Sequence, residues 1–581
     1  MSAGTAGVGL GPPATAEDTG GATGTAGTDP RADLRWGTVP RLLADAAARL
    51  DSVEALVDGS TRVTFGELAD QVAAMARALV ASGVAAGDRV AVWAPNCAQW
   101  AVAALGTHAA GAAVVPLNTR FKGGEAAHVL RASGACMLCT VDGFLGVDYP
   151  GLLVGEDLGD LAEVVVLRRE GPGSASGSRL PVPVTDLPDL LARGTEADGA
   201  EVDRRSRALT PDDLSDLIFT SGTTGRPKGV MATHGQSLRT FGAWASIVGL
   251  QEGDRYLVVN PLFHTFGYKA GLLACLMAGA TAVLEPVFDV ERVLVRIADE
   301  RITVLPGPPT LYQSLLEHPG RADHDLSSLR LGVTGAAVVP VELVVAMGDE
   351  LGFDTVLTAY GLTESCGTVT MCRRGDPAEV VATTSGRAIP DLEVQVVGAD
   401  GEVLAPGAAG EVVVRGYTVT AGYWGDPGAT AATIDPEGWL HTGDIGVMDE
   451  AGNLTITDRL KDMYVVGGFN AYPAEVEAIL RGCPGVGALA VVGVPDARLG
   501  EVGCVYLVRS GEREDVEAYA RRVLVWAREA MANYKAPRYA VVVDELPVNA
   551  SGKVLKRELR ERFGGAQSPG VVKVESERRE E

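Results

Sequence analysis

The chain has 581 residues, 46% of them apolar, and its 50 Lys and Arg against 75 Asp and Glu give a formal charge of −25 at pH 7. A length prior of roughly 100 to 200 residues per domain makes this about three or four structural units rather than one core. The acidic balance excludes sequence-independent nucleic-acid binding, whose affinity comes from cations neutralising phosphates, and no run nears the roughly 18 to 20 apolar residues of a bilayer span, which excludes a membrane-spanning role.

Residues 1–32, rich in Gly, Ala and Thr, lack the basic start and apolar stretch of a secretory signal and read as a disordered tail. With no such signal, the eight cysteines point to a reducing cytoplasm and not to a disulfide framework. From about Val39 to Leu357, short β-branched runs such as Asp88–Trp93, Ala112–Leu117 and Arg255–Val259 alternate with Ala- and Leu-rich stretches. That alternation predicts α/β structure with largely parallel sheets. Cys136-Met-Leu-Cys139 has redox or zinc spacing, but it lies in an apolar stretch without a second such pair and reads as two buried strand cysteines.

After about Gly386 the pattern changes to the alternating runs Leu392–Val397 and Gly410–Arg415, with Ala399-Asp400-Gly401 as a turn signal between them. A further change at 458–461 reads as a domain boundary, and strand-like runs at Ala488–Val492, Cys504–Val508 and Tyr539–Val543 follow it. The expected fold class is therefore α/β. A large N-terminal domain, 33–457, holds two α/β sheet subdomains plus a β-rich subdomain at about 386–457. A small α+β C-terminal domain occupies 462–563, and 564–581 reads as a second disordered tail.

The chemistry begins where the strand-like Leu217-Ile-Phe219 runs into Thr220-Ser221-Gly222-Thr223-Thr224-Gly225-Arg226-Pro227-Lys228-Gly229. Glycines let backbone N–H groups approach a ligand, hydroxyls donate to phosphate oxygens, and a lysine completes the set, so this string reads as a polyphosphate cradle. It is not a Walker A loop, because its glycines lack that spacing. Tyr360-Gly361-Leu-Thr363-Glu364 offers a carboxylate of the kind a hard cation on polyphosphate prefers. Taken alone it could equally start a helix, with Thr as cap and Glu facing the dipole.

These segments, with Gly438–Asp444 and Pro547–Leu559 downstream, occur in the order found in the adenylate-forming enzymes. That family includes acyl-CoA synthetases, 4-coumarate:CoA ligases, firefly luciferase and peptide-synthetase adenylation domains, and the sequence resembles it from about Val39 to Phe563. The resemblance implies that Thr220, Ser221, Gly222, Thr223, Thr224, Gly225 and Lys228 hold the β- and γ-phosphates of ATP. It places Gly335, Ala336 and Ala337 against adenine with the Tyr360 ring and Gly361, Thr363 at the α-phosphate, and Glu364 on Mg²⁺. Asp444 and Arg459 would hold the ribose, Lys461 would be the hinge residue, and Lys553 would bridge carboxylate and α-phosphate. His264 matches the position between acyl pocket and adenylate, and Gly467, Gly468 and Phe469 the loop lining the coenzyme A tunnel. Asn260–Gly267 lacks the Asp by which amino-acid-activating members hold an ammonium.

The implied reaction is adenylation of a small-molecule carboxylic acid by ATP, then transfer of the acyl group to CoA after a domain rotation; a homodimer is compatible with it. Phe266–Cys275, Ile302–Gln313 and Asp462–Asn470 are similar to the actinobacterial ligases acting on the propanoate arm of a degraded steroid's two-ring remnant. A polycyclic acid is thus the expected substrate. A diterpenoid-antibiotic acid of the platensimycin or platencin type, or a medium- or long-chain fatty acid, would use a similarly apolar pocket. Three mechanistic alternatives share the motifs: carrier-protein loading, a luciferase-like oxygenase, and thioester formation on an adenylate supplied as acyl-AMP. A non-catalytic sensor should have lost one of Lys228, Glu364, Asp444, Arg459 or Lys553, and all are present.

Overall fold

The computed structural model describes residues 30–170, 179–195, 199–221, 227–335, 339–398, 400–459, 464–471, 473–509, 515–547, 554, 556–565, 568 and 570–573. Arg89–Trp93, from Val90 onward, and Ala113–Pro116 are apolar at consecutive positions because parallel strands in the middle of a sheet are covered on both faces. They lie within a seven-stranded sheet ordered Val184–Asp186, Glu163–Arg169, Met137–Asp142, Arg89–Trp93, Ala113–Pro116, Leu214–Ser221 and Pro227–Thr233. Neighbours are parallel except the last two, which form an antiparallel hairpin.

A nine-stranded sheet stands beside it. Its central strands Glu54–Asp58, Thr281–Leu284, Arg255–Val258, Val304–Pro306, Leu331–Gly335 and Thr355–Tyr360 are parallel, with antiparallel strands at both edges. The helix Ala98–Ala109 touches strands of both sheets and is buried around its whole circumference, which its run of small apolar residues permits. Phe65–Ala81 packs on it and starts at a capping box: Thr64 Oγ1 accepts from the Glu67 N–H and the Glu67 carboxylate accepts from the Thr64 N–H.

A four-stranded antiparallel sheet, Glu393–Val397, Ala409–Arg415, Leu440–Met448 and Leu454–Arg459, follows. One continuous core runs from Ala32 to Leu454 through all three sheets, and a separate core from Tyr464 to Val572 fills the remaining part of the chain. The α/β class expected from the alternating runs is the class observed.

One expectation is corrected. The stretch after 564 reads as a structureless tail, yet Val571–Lys573 adds an antiparallel edge strand to Tyr539–Val543. Val572 packs on the small core there, a tertiary gain that the surrounding Gly and Ser composition does not announce.

All eight cysteines are free, and seven are buried. Cys139 lies inside the strand Met137–Asp142 and Cys136 is half-buried just before it. Burial pushes the thiols of Cys97 and Cys139 up to about 12 and that of Cys136 up to about 11. Among the described residues no helix is long and apolar enough to cross a membrane.

Candidate active site

Leu331–Gly335 and Thr355–Tyr360 run in parallel register through Gly335 and Ala359, so Gly335 and Tyr360 emerge together at one carboxyl edge. That edge is where open α/β sheets bind ligands. Arg255–Val258 ends on the same side, and the segment carrying His264 follows it. In the neighbouring sheet Thr220 pairs with Lys228, which brings the two flanks of the cradle string side by side. Gly222, Thr223, Thr224 and Gly225 lie outside the described residues, as do Ala336, Ala337, Lys461, Lys553 and the side chains of Ser221 and Arg459.

The two sheets converge on Glu364. Gly361 runs so close to the Gly367 carbonyl that any Cβ would collide with it, and the chain then makes a tight 3-10 turn over Thr363–Ser365. Cys366 closes the turn at φ 54°, a left-handed conformation that costs a side-chain-bearing residue energy and marks a constrained segment. Glu364 is thereby held so that its Oε1 accepts from the Thr220 hydroxyl at 3.3 Å and from the Tyr423 hydroxyl at 2.9 Å. Its backbone carbonyl accepts from the Thr420 N–H. The Lys228 ammonium lies 5.2 Å from the Tyr423 ring centroid and 3.9 Å from Asp426.

A cation, a carboxylate and two hydroxyls from three separate segments thus face one place. Among the described residues no group of three or more His, Cys, Asp or Glu could cage a metal. A single carboxylate oxygen fits Mg²⁺ that arrives on polyphosphate and keeps its other ligands as phosphate and water.

A few residues away, the Tyr360 hydroxyl donates to Asp444 Oδ2 at 2.7 Å. Asp444 is buried, at 3% exposure, and stands opposite Arg459 across the antiparallel pair. The register slips between Ile445 and Gly446, the kind of irregularity that re-aims a side chain at the end of a pairing.

His264 is accessible but deeply recessed. Its Nδ1 accepts from the Phe266 N–H at 3.3 Å, and the surrounding protein depresses its pKa by desolvation. The chain then coils into a π-helix over Phe266–Leu273, a wide turn often found at functional sites. Within it Lys269, 1% exposed, places Nζ 3.0 Å from Asp216 Oδ1 and 3.5 Å from Cys366 Sγ. Burial opposes that charge, but Asp216 and Cys366 outweigh it and raise the ammonium's pKa. Asp216 sits on the strand that ends at Thr220 and Ser221, so this pair ties that strand to the π-helix that follows His264.

In the small C-terminal part, Gly467 and Gly468 turn between paired Val466 and Phe469 with φ of 54° and 85°. A Cβ on Gly468 would lie 3.6 Å from Pro308, so this turn abuts the large N-terminal part. Phe469 stacks beneath the Arg120 guanidinium at 4.1 Å.

Of the residues singled out from sequence, the structure brings together Thr220, Lys228 and Glu364, and separately Tyr360 and Asp444. Tyr423, Asp426 and Lys269 were missed. The aromatic pair Tyr423-Trp424 after Gly422, in an otherwise polar loop, is the signal that points to the first two; Lys269 has no local signal.

A hairpin that carries Thr220 and Lys228, a carboxylate fixed by two hydroxyls and a buried acid beside an aromatic ring are the parts expected of a nucleotide-dependent activating enzyme. Residues 43–424 match the family described as AMP-binding enzyme and residues 475–553 its C-terminal domain. The chain belongs to the AMP-binding enzyme family. It is similar to the 3-(7a-methyl-1,5-dioxo-octahydro-1H-inden-4-yl)propanoyl:CoA ligase of Rhodococcus jostii, 50% identical over 525 residues that span 90% of this chain and 98% of that one. The ligase of the same name from Mycobacterium tuberculosis is 51% identical over 532 residues, 91% and 99% of the two chains. Among solved structures, an o-succinylbenzoate CoA synthetase from Bacillus subtilis is 30% identical with a TM-score of 0.75, covering 90% of this chain and 98% of its own. The protein is an AMP-forming acid–thiol ligase that uses ATP, Mg²⁺ and CoA to convert a carboxylic acid through acyl-AMP into acyl-CoA.

Proposed function

We propose that this ligase activates a bulky, polycyclic carboxylic acid of steroid or diterpenoid origin through a short acyl arm, in the cytoplasm. The observation that carries this reading is the half-identity, over nearly their full length, to two ligases named for a methyl-dioxo-octahydroindenyl propanoate.

In this reading one carboxylate oxygen attacks the α-phosphorus of ATP in line, the bond to the β-phosphate oxygen breaks, and pyrophosphate leaves. Thr220 and Lys228, with Ser221, Gly222, Thr223, Thr224 and Gly225, bind the departing phosphates, and Thr363 binds the α-phosphate. Mg²⁺, held by Glu364, would spread the charge developing on the polyphosphate. Gly335, Ala336, Ala337, Tyr360 and Gly361 form the adenine wall, and Asp444 with Arg459 the ribose site. Lys553 offsets charge between carboxylate and phosphate, an electrostatic contribution worth about 10²–10³ in rate. The small domain, 462–563, then turns about Lys461 and brings Gly467, Gly468 and Phe469 to the site. The CoA thiol, losing its proton, attacks the acyl carbonyl and AMP leaves. His264, uncharged near neutrality, packs between acyl group and phosphate without adding a competing cation.

A panel of octahydroindenyl, diterpenoid, aryl and fatty acids, assayed in parallel for pyrophosphate release and CoA thioester, tests the substrate. A polycyclic acid should exceed straight-chain acids by at least about tenfold in kcat/KM, the scale of pocket discrimination. A fatty acid that matches or beats every ring acid overturns the reading.

A further inference from the structure

Lys535 belongs to the small core, yet the large domain closes it off from solvent. Its ammonium is 2.7 Å from Glu475 Oε1, on the helix Pro473–Leu480 of its own domain, and 2.9 Å from Glu125 Oε1, on the helix Gly123–Ser133 of the large domain. Only 1% of Lys535 is exposed, and the Phe121 ring lies 4.8 Å from the same ammonium. Burial opposes the charge, but Tyr534, Glu475 and Glu125 together hold its pKa above the ordinary lysine value. Glu125 is itself fixed, because its Oε2 accepts from the Lys122 N–H at the start of its helix.

The contacts around this pair share one face. Asn118 Nδ2 donates to the Tyr534 hydroxyl at 3.3 Å, the Tyr534 and Phe469 rings lie 5.0 Å apart, and Arg120 covers Phe469. Gly468 abuts Pro308 beside them. Val554, the neighbour of Lys553, packs on the small core instead.

We propose that Lys535 and Glu125 are positioning residues that latch the small domain in the orientation presenting residues 467–469 to the site, the one serving thioester formation. The latch deepens the acyl-CoA ligase reading above and rests on its two half-reactions. Its chemistry suits repeated release. When the domains part, Glu125 returns to water while Lys535 keeps Glu475, so neither state strands a buried charge without a partner. Weakening the interdomain contact lowers the population of the latched orientation and leaves the other state untouched.

The test is Glu125→Gln, which keeps the shape and the helix-start acceptor while removing the charge. With synthetic methyl-dioxo-octahydroindenyl-propanoyl-AMP and saturating CoA, thioester formation should fall about tenfold, the effect of losing one close charge pair. Acid-dependent ATP/pyrophosphate exchange and the KM for CoA should stay within about twofold, and Lys535→Arg should retain most thioester formation. Asn118→Ala, which cuts the same face without touching a charge, should likewise lower thioester formation and spare ATP/pyrophosphate exchange, and serves if the Gln variant fails to fold. Equal loss in both half-reactions, or an unchanged thioester rate, overturns the latch. If the wild-type enzyme makes no thioester from the supplied adenylate, the ligase reading falls first and the latch with it.

Discussion

Tyr423 donates its hydroxyl to Glu364 at 2.9 Å, so a loop next to the antiparallel sheet aims the carboxylate at the end of a parallel strand. Thr220 donates to the same oxygen, so both hydroxyls bond Oε1, and in the proposed reaction the other carboxylate oxygen would meet Mg²⁺. Removing such an orienting partner typically costs 10- to 100-fold in metal affinity. Tyr423→Phe should therefore raise the Mg²⁺ concentration for half-maximal adenylation by about tenfold. A Mg²⁺ titration at fixed ATP checks this, and an unmoved midpoint would mean the hydroxyl does not orient the metal's ligand.

Asp444 accepts from Tyr360 while nearly excluded from water, and in the proposed site it would accept from the ribose hydroxyls. A hydrogen bond to a charged group contributes about 1.5–3 kcal/mol. Asp444→Asn should raise the KM for ATP by roughly tenfold or more and leave that for CoA unchanged. Tyr360→Phe keeps the ring and should cost less than the Asn change. Initial-rate kinetics with each substrate varied in turn separate these outcomes.

The buried Lys269–Asp216 pair bears on stability. Lys269→Met leaves the Asp216 carboxylate without its cation in the interior, a change that costs about 3–5 kcal/mol. Replacing both partners with apolar residues, Lys269→Met with Asp216→Leu, should recover much of that loss. Urea denaturation of the single and double variants decides it; a single variant as stable as the double would mean the pair is not coupled.

His234 is buried, and desolvation pushes its pKa down from 6.5 to about 4. The unfolded chain takes up this proton as pH falls below about 6.5, while the folded protein does so only near 4. Stability is thus fully present above 6.5 and is lost as pH falls toward 4, by ~3 kcal/mol for this one ring. His234→Gln should flatten the drop in melting temperature between pH 7.5 and 5 relative to wild type. Parallel thermal scans that keep the wild-type slope would remove His234 as its source. Burial depresses neighbouring His108 too, so part of the slope should remain.

What could be read in advance depended on whether a contact is local. Thr220, Lys228 and Glu364 lie on short strings whose glycines, hydroxyls and charges announce a ligand before any fold is known. Tyr423 meets Glu364 across 59 residues; the Tyr423-Trp424 pair after Gly422 stands out in the sequence, but nothing in it names that partner. Lys269 could not be singled out, because nothing near it in the sequence shows that Asp216 lies beside it. The parallel strands were legible from their β-branched runs, whereas Val571–Lys573 becomes a strand only because Tyr539–Val543 offers it an open edge. Propensity is weakest where a neighbour decides the outcome.

An enzyme whose second substrate is a thiol is exposed to disulfide exchange with the oxidised form of that substrate. Exchange needs a thiolate within reach, and this chain withholds one: seven cysteines are buried, and the half-buried Cys136 has its thiol pushed up to about 11. CoA disulfide should therefore leave the native enzyme unmodified near neutral pH, so its activity follows the supply of reduced CoA and not the redox state of its own side chains.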